Sequence, residues 1–161
     1  MSQEYKNYLD EGIGLIHQSK FEDAIEKITN SIQLKNDWEI SYFYRAVANQ
    51  YLEKMNEAIL DYTKAIKINP KMTDAYYNRA KIILERKNIS DNELNRAIED
   101  LNQALSLDEK FIEALFAMAA AQKKIGNYKL ALEYLEKLLE IEPDAIHAKA
   151  LKKLLLQKYI P

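Results

Sequence analysis

The side chains that could carry out acid–base or metal chemistry are few and scattered in this sequence. The chain contains two histidines, His17 and His147, and no cysteine. Neither histidine has a second histidine or a carboxylate at the spacing of a metal-binding motif. The sequence also lacks a Gly-rich phosphate loop and an HExxH helix, and no serine, threonine or lysine lies in a recognisable nucleophile motif. It therefore predicts no catalytic residue, no metal ligand and no cofactor.

The charged residues are numerous but balanced. Lys and Arg number 23 and Asp and Glu 25, which gives a net charge of −2. Nucleic-acid binding is not expected, because no strong positive field is present. The carboxylates are predicted to lie on solvent-facing sides of helices, where pairing with Lys four residues away is ordinary.

The apolar residues indicate no membrane segment and no signal peptide. No stretch approaches the ~20 apolar residues that span a bilayer, and the first residues carry neither a basic segment nor an apolar run. The sequence predicts a soluble, cytoplasmic protein.

The arrangement of apolar and small residues repeats along the chain. A motif around Ala24 returns around Ala58, Ala97 and Ala131, with offsets of 34, 39 and 34 residues. A second motif precedes each copy: Tyr8 with Gly12, Tyr42 with Ala46, Tyr76 with Ala80, and Leu115 with Ala119. Steps of three and four residues within each motif indicate one face of an α-helix. Each period is therefore predicted to be a pair of helices that approach closely at the small residues.

This pattern resembles the tetratricopeptide repeat family. The resemblance is clearest in residues 74–80 and 126–132, and Pro70 and Pro143 fall between hairpins as the family pattern requires. Asn36 and Glu109 depart from it where Pro is usual, and Ser19 and Glu53 where Gly is usual. The resemblance implies an all-α fold, a right-handed α-α superhelix of helical hairpins, as a single domain over residues 1–161. The expected repeats are 5–38, 39–72, 73–111 and 112–145.

Two segments fall outside the regular repeat. About five extra residues lie near 87–91, and Ser90 with Glu93 has the form of a capping box, which predicts that a helix starts near Asp91. A final helix over 146–160 is predicted to cap the last hairpin through Ile146, Ala150, Leu151, Leu154 and Leu155. Its lysines also match a basic membrane-surface helix, but solvated positions on a capping helix are the preferred interpretation.

The family resemblance implies a binding surface on the first helix of each repeat. In the family these helices line a concave groove where peptides or helices dock. Several of the corresponding residues here are apolar, which is typical of a partner site. The residues predicted to bind a partner are Leu9, Ile13, Phe43, Val47, Tyr51, Tyr77, Asn78, Lys81 and Phe116.

The sequence therefore favours a scaffold or adaptor that binds an apolar or amphipathic protein segment. Two alternatives remain open: a self-associating assembly protein, with a possible homo-oligomer, and a chaperone for one hydrophobic partner. The family's carboxylate clamp for chaperone C-terminal tails is not expected, since only Asn78 matches its Lys, Asn and Arg positions. Other positions of the clamp hold the apolar residues Leu9, Ile13, Phe43 and Val47.

Overall fold

The computed structural model describes residues 3–159, and this part of the chain forms nine α-helices with no β-strand. The helices are α1 Glu4–His17, α2 Phe21–Leu34, α3 Glu39–Tyr51, α4 Met55–Ile68, α5 Thr73–Leu84, α6 Asp91–Leu107, α7 Ile112–Lys124, α8 Tyr128–Ile141 and α9 Ile146–Lys158. Helices α3, α5 and α7 begin at the residues where the sequence places the start of a repeat, and α9 begins where it places the capping helix. The predicted end of the last helix at residue 160 lies outside the described residues.

The chain divides into two compact units, the first running up to Ile82 and the second beginning at Ile83. In the first unit α1 packs against α2 and α3, and α3 packs against α4. In the second unit α7 packs against α6 and α8, and α9 packs against α8. None of the described helices is both long enough and apolar enough to cross a bilayer.

Small residues are buried at the centre of three of the helical hairpins. Gly12, Ala24, Ala46 and Ala58 are buried in the first unit, as are Ala119 and Ala131 in the second. A Cβ atom added at Gly12 would lie 2.4 Å from Ile28 Cγ1 and 3.3 Å from the carbonyl oxygen of Ala24. The prediction that small residues allow close helix approach is therefore confirmed at Gly12.

Three of the hairpin turns share one backbone motif. Ser19, Glu53 and Gly126 have φ of 59°, 57° and 83°. In each turn the next residue donates a hydrogen bond of 2.9 Å to a carbonyl five residues earlier, as Lys20 does to Leu15. This is a Schellman motif, which places one residue in the left-handed conformation. Glycine is usual there because other L-residues lose about 1–2 kcal/mol in that conformation, and Ser19 and Glu53 adopt it nonetheless.

The third hairpin has a different turn because of the extra residues. The segment between α5 and α6 has six residues, where the other three turns have three. Helix α6 has 17 residues and α4 has 14, the added turn lying at the start of α6. Ser90 Oγ accepts a hydrogen bond from the backbone N–H of Glu93, whose carboxylate accepts one from the backbone N–H of Ser90. The predicted capping box and helix start are confirmed.

The packing face of α9 differs from the predicted one. Ala148 and Leu155 are buried in the core of the second unit, with Leu151 and Tyr159 packed against it. Ile146 is 78% exposed, and Ala150 and Leu154 are also exposed. The predicted stripe through Ile146, Ala150 and Leu154 is wrong, because a helix turns about 100° per residue and Ile146 points away from Ala148.

The two glycines of α1 provide a paired test of helix packing. Ala at Gly12 gains helix propensity but overpacks the site against Ile28, so Gly12→Ala should lower the free energy of unfolding by about 1–2 kcal/mol. A Cβ at Gly14 meets nothing within 4 Å, so Gly14→Ala should raise it by about 0.5–1 kcal/mol. Urea denaturation of both variants measures this difference. Equal effects at the two positions would contradict the proposed close approach at Gly12.

Candidate functional site

Eight of the nine predicted partner-binding residues lie in the first unit. Phe116 lies in the second unit, where it packs against the cluster around Leu115 and Leu135. The site is therefore described on α1, α3 and α5 of the first unit.

Leu9 is not available at this surface. Only 2% of its surface is exposed, and it belongs to a core cluster with Ile28, Ile32 and Tyr42. The expectation that Leu9 faces open solvent is wrong. Because α1 packs against both α2 and α3, its buried arc is wider than a single stripe and includes position 9, which lies about 100° around the helix from Tyr8.

Three further apolar residues lie between core and surface. Ile13, Phe43 and Val47 are half-buried. Ile13 and Phe43 pack against the Leu9 cluster, while Phe43 and Val47 pack against a second cluster that contains Tyr62 and Ala58. The Phe43 ring also meets the Tyr62 ring at 5.7 Å in an edge-on arrangement. These side chains therefore help to form the core and still present part of their surface.

Tyr51, at the end of α3, is the most accessible aromatic residue of the predicted set. It is 64% exposed. Its ring stacks on that of Phe21, the first residue of α2, with centroids 4.7 Å apart and planes 8° from parallel. The stack fixes the position of a ring that remains mostly in solvent. The sequence analysis did not identify Phe21 as its partner, although Phe21 opens the motif around Ala24.

Polar residues continue the predicted surface on α5. Tyr77, Asn78 and Lys81 are each half-buried, and Tyr77 and Lys81 take part in further interactions of their own. The set therefore combines apolar residues on α1 and α3 with an amide and an ammonium group on α5.

A partly buried ion pair connects helices α2, α3 and α4. Arg45 on α3 donates two hydrogen bonds of 2.8 Å to the Asp61 carboxylate on α4 and one of 3.2 Å to Thr29 Oγ1 on α2. Asn49 donates a longer bond of 3.4 Å to the same carboxylate. The hydrogen bonds to Asp61 raise the pKa of Arg45. The guanidinium also lies over the Tyr42 ring, so a single side chain connects three helices.

The expectation that carboxylates lie on solvent faces is wrong for two residues, because Asp61 and Asp100 are buried. A sequence signal for this exists. Asp100 follows Asp61 by 39 residues and Arg79 follows Arg45 by 34, the offsets of the repeat itself. Arg79 donates to Thr63 Oγ1 at 2.9 Å, which repeats the contact between Arg45 and Thr29.

The described residues contain no group of three or more His, Cys, Asp or Glu side chains that could hold a metal ion. His17 and His147 are both exposed. In the second unit, Tyr128 stacks on Tyr159 beside an open hollow of about 570 Å³.

Comparison with known proteins identifies the repeat. A family model described as "Tetratricopeptide repeat" matches residues 41–72, and one described as "Fis1 C-terminal tetratricopeptide repeat" matches residues 112–159. The "DnaJ homolog subfamily C member 7 homolog" of Dictyostelium discoideum is 28% identical over 149 residues, which cover 83% of this chain and 27% of that protein. The chain spans about a quarter or less of the length of the first curated relatives that it matches.

Solved structures share the fold. The crystal structure of MamA has a TM-score of 0.78 at 25% identity, with 88% of this chain and 80% of that chain covered. The first TPR of Spaghetti (RPAP3), bound to an HSP90 peptide, has a TM-score of 0.67 at 23% identity, with 74% and 90% covered. At that identity the second likeness concerns the fold alone.

The ion pair of Arg45 and Asp61 can be tested by a double-mutant cycle. Asp61→Ala leaves the Arg45 charge without its partner and should lower the free energy of unfolding by about 3 kcal/mol. Arg45→Met in the same chain removes the unpaired charge, so the double variant should be more stable than Asp61→Ala alone. Urea denaturation of the two single variants and the double variant gives the coupling energy. Simple additivity would mean that the pair contributes no mutual stabilisation.

The all-α architecture, the turn geometry, the two matching repeat models and the solved repeat structures agree on one classification. The chain belongs to the tetratricopeptide repeat family, whose fold serves as a scaffold for protein–protein interaction.

Proposed function

We propose that this chain binds a segment of another protein on the first helices of its first unit, without catalysing a reaction. The observation that carries the proposal is the 64% exposure of Tyr51, held in place by its stack on Phe21. Half-buried Ile13, Phe43 and Val47 extend the apolar surface across α1 and α3. An aromatic ring fixed before binding is a favoured anchor, because little conformational freedom is lost when a partner covers it.

The chemistry of the surface favours an apolar or amphipathic segment as the partner. The side chains of α1 and α3 offer contacts to an apolar face, while Asn78 and Lys81 on α5 offer hydrogen bonds to a polar edge. A cytoplasmic location remains a prediction from the sequence.

A chaperone C-terminal tail is not the expected partner. Such a tail ends in a carboxylate, which needs cationic or amide groups to replace its hydration. A clamp that starts on α3 would have Phe43 and Val47 at its first two positions. A clamp that starts on α1 would have Leu9 and Ile13 there, and on α5 it would have Asp74, which would repel an anion. Leu9 is buried as well.

The test compares two exposed residues of the first unit. Tyr51→Ser should weaken binding of the natural partner by about tenfold, because it removes the anchor ring. Leu60→Ser is the matched control, since Leu60 is 69% exposed but lies on α4. The partner is captured from a lysate of the source organism, purified, and titrated against both variants by isothermal calorimetry. Melting curves check that both variants fold.

Three outcomes would contradict the proposal. Equal binding by both variants would show that the α1 and α3 surface does not contact the partner. Binding of SRMEEVD, the HSP90 peptide bound to the first TPR of Spaghetti (RPAP3), would show that a carboxylate tail is accepted. A dimer that dissociates on Tyr51→Ser in sedimentation experiments would favour self-association.

A further inference from the structure

Helix α9 corresponds to the first helix of a further repeat. The two positions at which the first helix of a hairpin contacts the second helix, here called the seam, are not apolar in α9. In α7 the seam positions hold Leu115 and Ala119, which α8 covers through Ala131 and Leu135. The positions 34 residues later in α9 hold Lys149 and Lys153. Both lysines are exposed. A second helix of the ordinary type would bury two charges here, which is strongly unfavourable without acidic partners.

The open side of α9 is nevertheless apolar between its lysines. Ile146, Leu154 and Leu156 are 78%, 40% and 47% exposed. By contrast, no large hydrophobic side chain is exposed in α1, whose open side carries Glu4, Asn7 and Asp10 among the described residues. Polar residues would suffice on the open side of α9 as well. The exposed apolar residues therefore need a separate explanation.

The charge of α9 determines the character of a suitable partner. The helix contains four lysines and no acidic residue. Lys149 pairs with Asp144 at 3.1 Å and Lys152 with Glu136 at 3.0 Å. Lys153 has no ion-pair partner among residues 3–159. Two of these lysines, Lys149 and Lys153, lie in the seam itself. A partner that brings carboxylates to the seam would compensate both.

We propose that the open side of α9 docks an acidic amphipathic helix of another protein, which packs on α9 as α8 packs on α7. The docking helix has Asp or Glu opposite Lys149 and Lys153, and apolar residues opposite Ile146 and Leu156. This surface lies in the second unit and is independent of the surface proposed on α1 and α3.

An anionic membrane fits this face less well. Helices that lie on membranes separate a continuous apolar face from a basic one. The continuous apolar face of α9, with Ala148, Leu151 and Leu155, is packed in the core of the second unit. Viewed along the axis of α9, Lys153 lies between Ile146 and Leu156 on the open side. A partner helix with carboxylates interspersed among apolar residues can match this arrangement.

The geometry of the first hairpin provides the design of a probe. There Gly12 faces Ala24 and Ile28, and the corresponding residues of α8 are Ala131 and Leu135. The acidic probe is therefore a fluorescein-labelled peptide with the α8 sequence Tyr128–Ile141 carrying Ala131→Glu and Leu135→Glu. The basic probe carries Lys at the same two positions.

Fluorescence anisotropy with the full chain should show that the acidic probe binds about tenfold more tightly than the basic one. The chain variant Lys149→Glu with Lys153→Glu should reverse this order. Lys54→Glu with Lys67→Glu, at two exposed positions of the first unit, makes the same change in net charge and should leave the order unchanged. Tyr51→Ser should also leave it unchanged, which separates this test from that of the first surface.

Several results would overturn the proposal. Absence of binding by the acidic probe at millimolar chain concentration would do so, as would the same reversal in the Lys54 and Lys67 variant. Sedimentation of the chain with phosphatidylserine vesicles, lost in the Lys149 and Lys153 variant, would assign the face to a lipid surface instead. Melting curves of the variants should match that of the parent chain, because the substituted lysines are exposed.

Discussion

The close approach of two helices at a pair of small residues is the contact on which each hairpin depends. At Gly12 there is no room for even one added methyl group beside Ile28 and the Ala24 carbonyl. Ala46 and Ala58 occupy the corresponding positions of the second hairpin and are fully buried. Helices this close leave little volume between them, so their large side chains must point toward the neighbouring hairpins or into solvent. The apolar surface on α1 and α3 is a consequence of this packing.

The ion pair of Arg45 and Asp61 adds directional contacts to a largely apolar core, which also contains a buried hydrogen bond between Ser31 and Ser41. Desolvation of Arg45 and Asp61 opposes folding, and the gain in attraction offsets it only where the hydrogen bonds are well made. Two bonds of 2.8 Å, with Thr29 as a third partner, satisfy that condition. Because Arg45 connects α2, α3 and α4, the pair restrains how the first hairpin packs on the second. The position of α3, and with it Tyr51, depends on this restraint.

The sequence predicts the helices and turns well because repetition supplies the same information several times. The small residues recur at the repeat offsets, so the helix starts at Glu39, Thr73, Ile112 and Ile146 follow from the period. The capping box at Ser90 is local chemistry that needs no tertiary context. The departures at Ser19 and Glu53 do not change the turn, because two backbone hydrogen bonds determine it.

Burial of individual side chains was harder to predict, since it depends on how many neighbours a helix has. Leu9 and Ile146 lie on the first and last described helices. On one side of each of these helices there is no further described repeat with which the pattern can be compared. Leu9 is buried because α1 contacts two helices. Ile146 is exposed because α9 packs against α8 through Ala148 and Leu155, on the opposite side of the helix. Asp61 was missed because a carboxylate is usually solvated, and only its recurrence at Asp100 indicates otherwise.

The two proposed surfaces lie where residues depart from the repeat pattern. Most positions of the repeat keep the same residue type because they pack against the same neighbour in every hairpin. A position where the residue type changes is therefore not constrained by that contact. At the position of Tyr51, the first helices α1 and α7 have His17 and Lys124, and Glu85 directly follows α5. These three residues are polar, whereas Tyr51 carries an exposed ring. Lys149 and Lys153 stand where those helices have Tyr or Leu and a small residue. Since these substitutions do not contribute to the core, their chemistry is best explained by contact with another molecule.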